Sequence, residues 1–180
     1  MYKPSVIIQA RINSTRFKSK ILKKINNFSI LEILIKRLKK SKKIDRIIVA
    51  CTKNDDDKSI IDLCKRLDLN YFVGSENNVL QRYYLAAKKF KIKNIIRITS
   101  DCPLIDVNIL DQLIDNYLKK DYDYASNIID PSFPDGMDVE LFKFDVLKNE
   151  YFNFSNQINK EHVTTGILDK KNYKKFSLRL

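Results

Sequence analysis

The chain has 180 residues and a formal net charge of +12, from 34 lysines and arginines against 22 aspartates and glutamates. Because 44% of its residues are hydrophobic and 11% aromatic, it can bury a core, which excludes a disordered chain. It has no apolar run near the roughly 20 residues that a membrane-spanning helix needs, and its N-terminus lacks the features of a signal peptide.

The positive charge does not by itself indicate a nucleic-acid partner. Many of the lysines fall on the outer faces of predicted helices, and most charge runs of this kind are solvated surfaces. We therefore expect neither a nucleic-acid nor a membrane partner. The three cysteines are odd in number and far apart, which predicts a reducing, cytoplasmic location without a disulfide framework.

Apolar runs and helical stripes alternate over the first 120 residues. The predicted strands are Ser5–Ala10, Ile47–Cys51, Asn70–Val73 and Asn94–Thr99. The predicted helices are Ile30–Lys40, a helix that begins near Asn54 or Asp55 and runs to Leu67, Val79–Phe90, and a helix that follows Asp106 and reaches Tyr117. This alternation predicts an α/β fold of three layers, with a mostly parallel sheet between two layers of helices.

The pattern is less regular after residue 120. Strands are predicted at Tyr122–Asn127 and Met137–Phe142, with the start of another at Phe176–Leu180. A turn-rich loop, Asp130–Gly136, lies between the first two of these strands, and a helix is predicted at Lys160–Leu168. We find no linker and no internal repeat, so residues 1–180 are expected to form a single domain.

A basic loop follows the first predicted strand, and several cations precede Glu32, the first acidic residue of the chain. Arg11 and Lys20 can neutralise the β- and γ-phosphates of a nucleotide. The loop amides can hold phosphate oxygens. The remaining side chains of the loop that suit a triphosphate are Ser14, Thr15 and Arg16. A solvated basic turn is the alternative, and neither a Walker loop nor a GxGxxG fingerprint is present.

Ligands of parallel sheets bind outside the carboxyl ends of the strands, and small, polar or charged residues follow all four predicted strands there. Asp101 comes directly after the fourth strand. Its carboxylate could hold Mg²⁺, which keeps substrate phosphates as further ligands, or it could serve the cap of the next helix.

Two further groups of polar residues are weaker candidates. Asp135, Asp138 and Glu140 could bind a metal ion or sugar hydroxyls, or they could be a turn residue and a surface pair. His162, the only histidine, follows Glu161 and is either a substrate contact or a packed or capping residue.

Seven segments in this order resemble the cytidylyltransferase family, in particular its SpsF-like branch of spore-coat and surface polysaccharide synthesis. They are QARINSTRFKSKIL, IIVACT, VGSENNVLQRYY, IIRITSDCPLID, DYASN, PDGMDVE and EHVT. The family is also similar to the acylneuraminate and 3-deoxy-manno-octulosonate cytidylyltransferases. The resemblance implies a nucleotide-diphospho-sugar transferase (Rossmann-like) fold, CTP and Mg²⁺, and an acidic or other cell-envelope sugar as the second substrate.

The resemblance also implies roles for individual residues. The triphosphate loop would comprise Ala10, Arg11, Ser14, Thr15, Arg16 and Lys20. Thr52, Gly74 and Ser75 would contact the base and ribose, Arg82 the nucleotide, and Asp101 the magnesium ion. The substrate side would comprise Asp135, Asp138, Glu140, Glu161 and His162.

The chain departs from the family at Phe17-Lys18-Ser19-Lys20, where the family has a glycine, and it ends at Leu180, where the family continues into a further strand and helix. We expect an enzyme in which a sugar hydroxyl attacks the α-phosphorus of CTP and pyrophosphate leaves, with catalysis by Arg11, Lys20 and Asp101. The alternatives are a catalytically impaired nucleotide-binding remnant, a glycosyltransferase of similar fold and an RNA-binding domain. Residues 130–160 are a candidate homodimer interface.

Overall fold

The computed structural model describes residues 2–13, 17, 19–153 and 162–180. The strands are β1 Ser5–Gln9, β2 Lys24–Ile25, β3 Phe28–Ser29, β4 Ile47–Thr52, β5 Asn70–Gly74, β6 Asn94–Thr99, β7 Tyr124–Ser126, β8 Glu140–Lys143 and β9 Lys175–Ser177. The helices are α1 Ile30–Leu38, α2 Lys58–Arg66, α3 Val79–Lys89, α4 Val107–Lys120, α5 Phe144–Phe152 and α6 Thr165–Asp169.

A seven-stranded sheet with the order β5-β4-β1-β6-β8-β7-β9 forms the centre of the protein. The first four strands in this order are parallel, so their carboxyl ends meet at one edge. Strand β8 is antiparallel to both of its neighbours, whereas β9 is parallel to β7. The prediction of a mostly parallel sheet is therefore confirmed, and the antiparallel strand is confined to the half of the sheet beyond β6.

Helices cover both faces of this sheet, as the alternating sequence pattern predicts. Val6 and Ile8 of β1 face the layer that contains α1, α2 and α4. Ile7 faces the opposite layer, where α3, α5 and α6 pack, and Tyr83 of α3 donates a hydrogen bond to its carbonyl oxygen at 3.1 Å. Successive strand residues point to opposite faces, so one continuous apolar run supplies both halves of the core.

Several predicted boundaries are wrong in the second half of the chain. Strand β8 begins at Glu140 and not at Met137, because the Asn127 side chain makes hydrogen bonds to the backbone groups that precede the strand. The Asn127 amide donates to the carbonyl of Met137 at 2.8 Å and accepts from the amide of Val139 at 2.9 Å. Asp138 therefore lies outside the strand that was expected to place it on one face with Glu140.

Three further elements differ from the prediction. Helix α5 was missed, because its hydrophobic residues do not form a clean stripe and its buried residues include Glu150. The hairpin β2–β3 has strands of two residues each, too short to show a period. Of the predicted helix at residues 160–168, residues 160 and 161 lie outside the described part, and α6 begins only at Thr165. Within the described ranges, no helix has both the length and the apolar character needed to cross a membrane.

A buried ion pair joins β6 to β8. Arg97 and Glu140 lie directly opposite each other in the register of these strands, and the Arg97 Nη1 donates to Glu140 Oε2. The hydroxyl of Tyr124 donates to the other carboxylate oxygen at 2.7 Å, and Glu140 is only 2% exposed. Burial opposes the charge of Arg97, but the Glu140 carboxylate outweighs it and holds the pKa of Arg97 above its usual value.

We expect Glu140→Gln to lower the free energy of unfolding by about 3–5 kcal/mol, because removing one member of a buried pair leaves the other charge uncompensated. Urea unfolding monitored by circular dichroism measures the change. The control is Asp115→Asn, which removes the partner of Lys43 from an exposed pair and should cost about 0–1 kcal/mol. Equal costs for the two variants would contradict the structural role of the Arg97–Glu140 pair.

Candidate active site

A cleft of about 520 Å³ opens at the edge of the sheet where the parallel strands end. Residues from the ends of β1 and β6, the turn after the basic loop and the first turns of α3 surround it. They are Gln9, Ala10, Arg11, Lys20, Ile21, Glu76, Asn77, Val79, Arg82, Arg97, Thr99, Ser100, Asp101 and His162. Ligands of open parallel sheets bind at such an edge, because loops from several strands converge there.

Lys20 and Asp101 meet at the mouth of this cleft. The Lys20 Nζ lies 2.6 Å from the Asp101 Oδ2, although the two residues are 81 positions apart in the chain. Lys20 starts a one-turn 3₁₀ helix, and Ser19 before it adopts the left-handed backbone conformation. The Ser19 backbone amide donates to the carbonyl oxygen of Ile12 at 3.0 Å, which brings the chain back beside the end of β1. The structure thus brings together the cation and the carboxylate that the sequence places after two different strands.

Asp101 remains ionised at neutral pH. Burial by itself raises the pKa of this carboxyl, but hydrogen bonds from Lys20 and Thr99 outweigh it and bring the pKa below its ordinary value. Each member of the Lys20–Asp101 pair is about one third exposed, with relative side-chain areas of 33% and 35%. The carboxylate is therefore charged and within reach of a ligand that enters the cleft.

Two arginines add positive charge to the cleft. Arg11 is exposed at its rim, whereas Arg82 is only 2% exposed. The Arg82 Nη1 donates to the carbonyl oxygen of Ser75. Burial, together with the charge of Arg11, lowers the pKa of Arg82. Gly74 makes room for this side chain, since a Cβ on Gly74 would lie 2.9 Å from the Arg82 Cγ.

Asp57 fixes the start of the basic loop, a role that the sequence analysis missed. Its Oδ1 accepts from the backbone amide of Ile12 at 2.7 Å. Its Oδ2 accepts from the backbone amide of Thr52 at 2.8 Å and from the Thr52 hydroxyl at 2.6 Å. With 1% exposure, this carboxylate ties the chain after β1 to the end of β4. The sequence analysis placed the start of a helix near Asn54 or Asp55 and gave Asp57 no role of its own.

Several predicted nucleotide residues do not line the cleft. Thr52 is buried and donates hydrogen bonds to Asp57. Gly74 and Ser75 border a neighbouring groove. These residues shape the site indirectly, through the basic loop and through Arg82. Ser14, Thr15 and Arg16 lie outside the described residues, as does Glu161. His162 is exposed and lines the cleft.

The predicted substrate-side residues Asp135, Asp138 and Glu140 lie in three different environments. Asp135 is exposed, Asp138 is half-buried and Glu140 is buried. Both oxygens of Glu140 are occupied by Arg97 and Tyr124, so the structure gives Glu140 a structural role in place of the expected substrate contact. Burial, together with the charges of Asp135 and Glu140, raises the pKa of Asp138.

A metal ion at this site would rely on few protein ligands. In the described part of the chain, no group of three or more histidine, cysteine, aspartate or glutamate side chains is arranged to hold one. Asp101 nevertheless fits Mg²⁺, which commonly binds proteins through one or two carboxylates and completes its octahedron with water and substrate phosphates.

Comparisons with known proteins agree on one family. The family model described as cytidylyltransferase matches residues 5–177. The chain is 44% identical over 168 residues to an uncharacterized protein of Methanocaldococcus jannaschii, covering 92% of this chain and 67% of that protein. It is 32% identical over 123 residues to the spore coat polysaccharide biosynthesis protein SpsF of Bacillus subtilis, covering 66% of this chain and 51% of SpsF.

A solved structure of a cytidylyltransferase from Leptospira borgpetersenii superimposes on the whole chain. The TM-score is 0.95 at 32% sequence identity, and the match covers 100% of this chain and 77% of that one. The chain thus spans about half the length of SpsF and roughly three quarters of the solved protein.

We expect Asp57→Asn to lower the free energy of unfolding by about 1–3 kcal/mol, because the neutral amide cannot accept all three hydrogen bonds of the buried carboxylate. Thermal and urea unfolding measure the loss. The control is Asp55→Asn, which alters a nearby exposed aspartate that pairs with Lys58 and should leave stability nearly unchanged. If Asp57→Asn is as stable as the wild type, Asp57 does not hold the loop.

Proposed function

Because the chain belongs to the cytidylyltransferase family, a family of CTP-dependent nucleotidyltransferases, we propose that it transfers CMP from CTP to a sugar and releases pyrophosphate. The single observation that carries this proposal is the contact between Lys20 and Asp101 at the mouth of the cleft. A phosphate-binding cation and a metal-binding carboxylate at one place are what nucleotidyl transfer requires.

In this reaction the protein mainly positions the two substrates and neutralises the charge of the phosphates. A sugar hydroxyl attacks the α-phosphorus, and negative charge grows on the non-bridging oxygens and on the leaving pyrophosphate. Arg11 and Lys20 stand at the rim of the cleft, where they would neutralise that charge. No covalent intermediate with the protein is needed, so the reaction does not require a nucleophile activated by His162.

Asp101 is the residue that would hold Mg²⁺. When bound, the ion would neutralise phosphate charge and orient the triphosphate for in-line attack. Asp101 is paired with Lys20. A triphosphate that arrives at the carboxylate therefore meets the Lys20 ammonium beside it, and the phosphate oxygens can take over the hydrogen bond that Lys20 now gives to Asp101.

The name of SpsF supports a sugar of a surface polysaccharide as the second substrate. An acidic sugar is favoured by the cations around the cleft and by the resemblance to the cytidylyltransferases of acidic sugars. His162 lines the cleft, and Asp138 lies close enough to Asp101 for the charge of that carboxylate to raise its pKa. These two residues are candidates for contacts with the sugar. We also infer a cytoplasmic location, because Cys51, Cys64 and Cys102 are buried free thiols, which suit a reducing compartment.

We expect Lys20→Ala to lower kcat/KM by about 10²-fold or more, because a fixed charge that stabilises the transition state is lost. Pyrophosphate release from CTP, measured with a panel of acidic sugars, gives the rate. Lys24→Ala is the matched control, since Lys24 is an exposed lysine of β2. An undiminished rate for Lys20→Ala would show that the basic loop does not contribute to catalysis through Lys20.

We expect Asp101→Asn to abolish the stimulation of turnover by Mg²⁺, because a neutral amide holds a hard cation poorly. Titrating Mg²⁺ in the same assay measures this, with Asp115→Asn as the control. Unchanged metal dependence would contradict the role of Asp101. Calorimetric titration with CTP, run in parallel, separates the alternative of a nucleotide-binding remnant, for which CTP binds but no pyrophosphate is released.

A further inference from the structure

One carboxylate near the cleft has no partner in the protein. Asp138 is half-buried, and within the described ranges of the chain it makes no hydrogen bond and no ion pair. The two acidic residues around it differ in this respect. Asp101 is paired with Lys20, and both oxygens of Glu140 accept hydrogen bonds. The carboxylate of Asp138 is therefore available to a group that a substrate brings.

The pairing of β6 with β8 brings Asp138 to the edge of the sheet where the cleft opens. Continued by two positions beyond its last pair, the antiparallel register sets Asp138 opposite Thr99, the last residue of β6 and part of the cleft lining. The charge of Asp101 acts on Asp138, and the charge of Asp138 acts on Cys102, which follows Asp101 in the chain. Asp138 thus lies beside the end of β6, near the carboxylate that would hold Mg²⁺.

The backbone on both sides of Asp138 is held in place. The Asn127 side chain donates to the carbonyl oxygen of Met137 at 2.8 Å and accepts from the amide of Val139 at 2.9 Å. The hydroxyl of Ser126 donates to the carbonyl oxygen of Val139 at 2.8 Å. Asn127 is only 3% exposed, so these bonds are shielded from water. The position of Asp138 is consequently fixed from both sides, as a group that takes part in chemistry requires.

The order of the strands separates two kinds of charge around Asp101. In the sheet β6 lies between β1 and β8; Arg11 and Lys20 follow β1, Asp101 follows β6 and Asp138 precedes β8. The cations that would take the leaving pyrophosphate therefore lie on one flank of Asp101, and the free carboxylate lies on the other. In-line displacement at phosphorus needs the attacking and leaving oxygens on opposite sides. Asp138 also lies outside the lining of the cleft, as suits a residue that serves the second substrate.

We propose that Asp138 is the general base of the reaction and accepts the proton of the attacking sugar hydroxyl. As the hydroxyl oxygen forms its bond to the α-phosphorus, the bond from that phosphorus to the oxygen shared with the β-phosphorus breaks. The electron pair of the broken bond leaves with pyrophosphate, and the hydroxyl proton passes to a carboxylate oxygen of Asp138. This inference rests on the proposed function and deepens it by naming the proton acceptor.

The surroundings of Asp138 favour the uptake of a proton. Burial and the charges of Asp135, Glu140 and Asp101 raise the pKa of Asp138, whereas Arg97 lowers it. The charge of Arg97 is itself balanced by Glu140. Since general-base catalysis is more effective when the pKa of the base is nearer to the working pH, the groups that make Asp138 costly to ionise also make it a better proton acceptor.

We expect Asp138→Ala to lower kcat by about 10²-fold or more, the contribution of a well-placed general base. Pyrophosphate release from CTP is measured with the panel of acidic sugars and, in parallel, with water alone as the nucleophile. The affinity for CTP from calorimetry, KM for the sugar and the Mg²⁺ concentration at half-maximal rate should stay at the values of the wild type. Asp115→Ala, which truncates an exposed aspartate of α4, is the control and should leave all four quantities unchanged.

Added formate gives a readout that a structural role would not move. Asp138→Ala removes the carboxylate and leaves room for a small one, so formate should raise the kcat of this variant as its concentration increases. Lys20→Ala, which loses a phosphate-binding charge instead, should not respond to formate. Thermal unfolding shows whether each variant is folded. If Asp138→Ala does not fold, the nearly isosteric Asp138→Asn replaces it in the measurements of kcat and of Mg²⁺ dependence.

Three outcomes would overturn the role of Asp138 alone. An unchanged kcat would show that the proton goes elsewhere. A higher Mg²⁺ requirement in the variant would make Asp138 a ligand of the metal ion. A higher KM for the sugar, with no response of kcat to formate, would make it a binding residue only. If instead the wild type releases no pyrophosphate from CTP, with any sugar of the panel or with water, the proposed function itself fails and this assignment fails with it.

Discussion

The carboxylate of Asp57 is the constraint on which the geometry of the cleft depends. By accepting hydrogen bonds from Ile12 and Thr52, it determines where the chain leaves the sheet after β1. Arg11 comes directly before that point, and Lys20 comes after it. Without a fixed exit the basic loop would be a solvated turn, and the approach of Lys20 to Asp101 would have no support from the sheet.

The distribution of charge in the cleft follows from which buried cations have a partner. Arg97 is neutralised by Glu140, whereas Arg82 rests on a carbonyl oxygen, which balances only part of its charge. At the mouth, Lys20 meets Asp101 while Arg11 remains exposed. In the described part of the chain, Arg97 and Lys20 are thus each paired with a carboxylate, whereas the charge of Arg82 faces a carbonyl oxygen.

The sequence predicted the parts of this fold that depend on local pattern. The apolar runs located the four neighbouring parallel strands β5, β4, β1 and β6, and the residues after them indicated where Lys20 and Asp101 lie. Features set by contacts distant in sequence were missed. Glu140 was expected to face a substrate, because only the register of β8 against β6 shows that Arg97 is opposite it. The start of β8 depends on the side chain of Asn127, which no periodicity reveals.

The late position of β8 in the chain has a consequence for the order of folding. Arg97 and Glu140 are 43 residues apart, so β6 leaves the ribosome well before the carboxylate that compensates its arginine. Until β8 inserts beside it, β6 is an open edge with a guanidinium that is costly to bury. The N-terminal half of the sheet therefore ends in an arginine without its compensating carboxylate until β8 has been synthesised.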